Sequence, residues 1–157
     1  RNFGVNMSKN TNTFFVIRES KRKGFYELWD TFSGKLYGID KTTQLLLINN
    51  KDLIDTSEKL NIFFDIMNDK QMILFNEDYV VLNGENFVIL NKYNDDQFII
   101  NEIVSDICNI LTEEKDLTEL LDELGEIYNI EKSEHYEIIN IILQLIFYNV
   151  ILMPAKK

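Results

Sequence analysis

Two stretches of this chain carry the same spacing of apolar residues, and that repetition constrains the fold more than any other feature. Leu60, Phe63, Phe64 and Met67, followed by Met72 and Ile73, fall at the intervals of Ile138, Ile141, Ile142 and Leu145, followed by Val150 and Ile151. The first four positions of each set share one face of an α-helix, and the adjacent last pair suits an extended exit. What precedes each helix repeats as well. In the second half Tyr79–Leu82, Phe87–Leu90 and Gln97–Ile100 read as strands, the first two joined by the hairpin dipeptide Asn83-Gly84. Asn101 is placed to cap a helix whose apolar face holds Ile103, Ile107, Cys108 and Leu111. Asp116 and Glu119 form a capping box for a second helix, with Leu117, Leu120, Leu121 and Leu124 on its buried face. Ser133 caps a third helix to about Tyr148, Asn149 closes it in the left-handed region, and Val150–Leu152 leaves extended. The order is β-β-β-α-α-α.

The first half follows the same order with one helix fewer. Phe14–Arg18 and Phe25–Asp30 read as strands around the basic loop Glu19–Gly24, and Lys35–Ile39 as a third strand. Asp40 caps a helix carrying Leu45, Leu46 and Leu47, and Ser57 caps another to about Asp69. Asn49–Thr56 has little room for a helix between them. The expected fold class is therefore α+β: a winged-helix-like β-β-β-α-α-α unit over residues 77–155, preceded by a shortened copy over residues 13–76. With Arg1–Asn6 ahead of Met7, residues 1–12 read as a tag remnant or flexible N terminus.

Charge separates the halves. Residues 1–76 hold 11 Lys/Arg and 9 Asp/Glu, a net +2, whereas residues 77–157 hold 5 and 17, a net −12. A surface so acidic repels phosphate backbones, which argues against nucleic acid as a partner of the second half, and attracts basic peptides or basic protein faces. No run approaches the roughly 20 apolar residues of a membrane span, and the single Cys108 fits a reducing cytoplasm. Both point to a cytoplasmic protein with no membrane partner.

The residues of the second half resemble the PqqD-like family, the recognition elements of ribosomal-peptide (RiPP) modification pathways. The resemblance rests on the strand Phe98-Ile99-Ile100, on Asn101, on helix positions Val104, Ser105, Ile107, Cys108 and Leu111, and on the polar break Thr112–Lys115. It continues through Asp116-Leu117 and the third-helix set Ile138, Ile141, Ile142 and Leu145. Two features depart from the family: the polar break lacks its usual Gly, and the first copy lacks the middle helix; Asn149 stands where the family usually has Gly. The resemblance implies a winged-helix-like fold in which a precursor peptide's leader adds as an extra strand. It also implies a non-catalytic adaptor that presents the leader to a separate peptide-modifying enzyme. The peptide-binding residues expected on that reading are Gln97, Phe98, Ile99 and Ile100 on the strand, with Ile100 offering an edge N–H. Ile139, Leu143 and Phe147, the second apolar stripe of the third helix, would form the groove wall.

Catalytic constellations are not evident. His135 is the only histidine, and it stands near the start of an acidic helix, where a solvated ring is expected. Cys108 lies on an apolar face and reads as a buried structural thiol. Trp29 and Tyr37, on strands, read as core, and Lys21-Arg22-Lys23 as a solvated loop tip. No enzyme activity, cofactor or metal is expected. Two other functions fit the fold class: a winged-helix DNA-binding regulator contacting a duplex through Arg18 and Lys21–Lys23, and a structural subunit of a larger complex. Exposed strand edges also allow a homodimer.

Overall fold

Alternation of inward apolar and outward residues builds the first sheet. In the computed structural model, which describes residues 14–155, β1 (Phe15–Glu19), β2 (Phe25–Asp30) and β3 (Leu36–Asp40) form an antiparallel sheet in that order. Leu28 and Ile39 point inward and are buried. Val16, Trp29 and Leu36 stand opposite one another on the outer face and are exposed. Trp29 is thus not core. The alternation that buries Leu28 and Asp30 on either side turns residue 29 outward. The reading of residues 1–12 falls outside the described residues.

Asp40 ends β3 and caps α1 (Lys41–Asn49), its carboxylate accepting the Thr43 N–H at 2.8 Å. Leu46 and Leu47 of α1 are buried. No helix intervenes before α2 (Ser57–Met67). Thr56 rather than Ser57 supplies its cap, the hydroxyl accepting the Lys59 N–H at 3.1 Å. Either side chain could do so chemically, and only the backbone path selects the earlier one. Asp30 is the one buried carboxylate among the described residues, at 1 % exposure. It accepts the Phe32 and Ser33 N–H groups at 2.9 and 3.1 Å. Burial pushes its pKa up, but the Phe32 and Ser33 N–H bonds and the nearby Ser57 and Ser33 hydroxyls outweigh that and leave it below the ordinary value.

The chain divides into two compact units between Phe64 and Asp65, earlier than the expected boundary at residues 76 and 77. Residues 65–76 belong with the second unit because their backbone is tied there. β4 (Leu74–Phe75) pairs antiparallel with β8 (Ile151–Leu152). Ile73 exchanges hydrogen bonds with Lys115, the Phe75 N–H donates to the Leu111 carbonyl, and the Asn76 side chain donates to the Asn149 carbonyl.

The rest of the second unit keeps the expected order. β5 (Tyr79–Asn83), β6 (Phe87–Asn91) and β7 (Gln97–Ile100) form an antiparallel sheet. α3 (Glu102–Ile110), α4 (Leu117–Ile127) and α5 (Lys132–Phe147) follow. Asn101 caps α3, and Asp116 and Glu119 form the capping box of α4. Asp69 reinforces that helix start, its carboxylate accepting the Thr118 N–H and hydroxyl at 3.1 and 2.6 Å.

Two local expectations change. Asn83-Gly84 is not a two-residue turn: Asn83 pairs with Phe87, three residues form the loop, and Gly84 does not take the left-handed conformation. Ser133 sits inside the first turn of α5, whose N-cap is Glu131 in a box with Glu134. Asn149 does close α5 with φ 64°. The helix is buried on more than one side, as its two apolar stripes require: Ile138, Ile142 and Leu145 are covered, and so are Ile139, Leu143 and Ile146. Among the described residues no helix is long and apolar enough to cross a membrane.

Candidate functional site

β7 is an edge strand, with β6 as its only strand neighbour among the described residues. The polarity of that edge follows from one bond. The Asn91 N–H donates to the Asp96 carbonyl at 2.9 Å. In an antiparallel ladder the bonded pairs then recur at every second position, so Ile89↔Phe98 and Phe87↔Ile100 face each other with their hydrogen bonds. Gln97 and Ile99 therefore aim their N–H and C=O groups away from the sheet. This corrects the expectation for Ile100, whose N–H is directed at Phe87 inside the sheet. The open donor at the end of the strand is that of Ile99.

Side chains sort by the same alternation. Gln97 and Ile99 lie on the outer face, with Ile99 70 % exposed, while Phe98 is half-buried and Ile100 buried on the inner face. Phe98, Leu145, Tyr148 and Val150 line a shallow dent too small for a water molecule. This dent lies between Phe98 of β7 and the C-terminal end of α5.

The expected groove wall needs correction. Ile139 and Leu143 are buried and do not line the dent beside Phe98, where Leu145, itself 2 % exposed, and the half-buried Tyr148 do. Phe147 is half-buried and does not line the dent. The stripe beside β7 is the other one, ending in Leu145 and Tyr148. Spacing alone shows that α5 has two apolar stripes but carries no information on which of them meets the strand. Tyr148 continues the Leu145 face three residues on, a signal present in the sequence, whereas Val150 reaches the dent only because Asn149 turns the chain.

The electrostatics around β7 are one-sided. Residues 71–114 contain nine acidic side chains and one base, Lys92. Asp95 and Asp96 precede the strand and Glu102 follows its cap, all exposed, and none takes part in an ion pair among the described residues. Deeper in the unit, Tyr128 donates to the Asp106 carboxylate. Burial first, then that bond and the charges of Asp106 and Glu102, push the Tyr128 hydroxyl pKa up.

Cys108 is fully buried in α3, and burial pushes its thiol up to about 12, so it is a structural thiol. His135 is half-buried near the start of α5. No cluster of three or more potential metal ligands occurs among the described residues. Lys21, Arg22 and Lys23 are exposed, with the Arg22 guanidinium 4.2 Å from the centre of the Phe25 ring. Compared with known proteins, the chain matches no family model and no curated protein sequence.

Proposed function

We propose that the chain is a non-catalytic adaptor that binds an extended peptide by strand addition at β7, in the manner of a RiPP recognition element, and presents it to a separate modifying enzyme. The observation that carries this reading is the open edge of β7. The outward backbone groups of Gln97 and Ile99 lie next to the apolar dent at Phe98, Leu145 and Tyr148. Backbone groups supply sequence-tolerant affinity, and a side chain laid over the dent supplies selectivity. Asp96 and Glu102 at the two ends of the strand favour basic residues in the ligand. Holding the substrate near an enzyme raises its effective concentration without chemistry in this chain.

The test is binding of fluorescent peptides, taken from leader regions of short peptides encoded beside this gene, to the protein and to Ile99→Pro. The variant loses an outward N–H but no bond within the sheet, so it stays folded while affinity falls by about tenfold or more. Equal affinity for both proteins would move the site away from β7, and no binding by any neighbouring peptide would remove the adaptor reading.

A further inference from the structure

The edges of the two sheets are built as a complementary pair. In the first unit the Asp30 N–H donates to the Lys35 carbonyl at 2.9 Å, so Leu28↔Tyr37 and Tyr26↔Ile39 are bonded pairs, and Leu36 and Gly38 point their backbone groups outward from β3. β3, like β7, has one strand neighbour. Both strands end at a helix cap, Asp40 and Asn101. Counted from those caps, Lys35 and Lys41 flank β3 at the positions where Asp96 and Glu102 flank β7. All four are exposed. The Lys41 ammonium rests near the Tyr26 hydroxyl at 3.3 Å, and none of the four is in an ion pair among the described residues.

We propose that β3 of one molecule pairs antiparallel with β7 of a second copy of this chain, with Gly38 opposite Ile99. In that register the outward backbone groups of both residues meet, and Lys41 stands opposite Asp96 and Lys35 opposite Glu102. Inner face continues into inner face, because Tyr37 comes opposite Ile100. Gly38 has no Cβ to crowd the exposed Ile99 side chain. Like pairings are disfavoured: two β7 edges bring Asp96 against Glu102, and two β3 edges bring lysine against lysine. The Asp40 carboxylate, opposite Gln97 in this register, is already held by the Thr43 N–H. The contact is small, so the association is weak. It does not depend on the adaptor reading. It occupies the edge assigned there to peptide, so the two compete.

Sedimentation velocity over a concentration series tests it on the full chain. The wild type self-associates, Gly38→Pro and Ile99→Pro abolish it, and raising the salt weakens it. Lys41→Glu weakens it by roughly fivefold, and so does Asp96→Lys. The Lys41→Glu/Asp96→Lys double variant recovers wild-type association, a rescue that a folding defect does not produce. A chain that stays monomeric throughout the series overturns the proposal, even if the same edge binds peptide. Association that ignores both prolines, or charge reversals that do not rescue each other, overturns it as well.

Discussion

In the first unit the strand before the first helix is tied to the last helix by its side chains, and in the second the equivalent strand is tied less tightly, while both keep an open backbone edge. Tyr37 and Phe98 each stand three residues before a helix cap, and each is half-buried on the inner face of its sheet. Tyr37 stacks on Phe64 of α2, ring centres 4.5 Å apart at 18°, and its hydroxyl donates to Asn61 at 3.2 Å. Phe98 lines the shallow dent with Leu145, Tyr148 and Val150. In the first unit an aromatic stack with a hydrogen bond locks the strand to the helix, whereas in the second the Phe98 and Tyr148 rings and two aliphatic side chains leave an unfilled dent between them. One supersecondary frame thus gives a filled or an unfilled side-chain seam beside its edge strand, according to a few side chains on its last helix.

Core substitutions give the largest effects, and the same kind of effect in both units. Phe63→Ala and Leu143→Ala, both fully buried positions, each cost about 3–5 kcal/mol, read by urea unfolding. A Leu143→Ala protein of unchanged stability that lost only peptide binding would return Leu143 to the groove wall. Breaking the seal comes next. Tyr37→Ala costs about 2 kcal/mol, because stack, hydrogen bond and buried area go together. Phe98→Ala costs about 1 kcal/mol and lowers peptide affinity. If the two changes proved equal in stability, the contrast between seams would disappear.

A pair of prolines sharpens the comparison further. Ile99→Pro lowers peptide affinity by about tenfold, as above, while Gly38→Pro, at the equivalent outward position of β3, leaves it unchanged in dilute protein. Loss of binding in both would place the ligand on both edges. The last effect is confined to the first unit and is removed by acid. The folded pKa of Asp30 is depressed, so its stabilisation is fully present above the ordinary carboxylate value of about 3.9 and fades as pH falls through the folded value. Asp30→Asn should therefore cost about 1–2 kcal/mol at neutral pH and progressively less below pH ~4, measured by urea unfolding across that range.

The α+β class, the β-β-β-α-α-α order, the shortened first copy and most helix caps follow from the sequence alone. Each rests on a local rule. Alternation at Phe87–Leu90 marks a strand, Asp116 and Glu119 satisfy the orphan N–H groups of a helix start, and Asn149 tolerates the left-handed turn that ends α5. These signals act within a few residues, so they survive without knowledge of the fold. The misplaced details are of another kind. Trp29 has the composition of a core residue, and only the pairing of its strand turns it outward. Ile139 and Leu143 have the spacing of a ligand-facing stripe, and only tertiary packing buries them. The direction of the Ile99 N–H depends on which cross-strand pairs are bonded, a choice that one residue of register would invert. The pairing of β4 with β8 joins residues more than seventy positions apart, with no local mark in either segment. Periodicity states how many faces an element has, while what each face meets is decided by chain segments far away in the sequence.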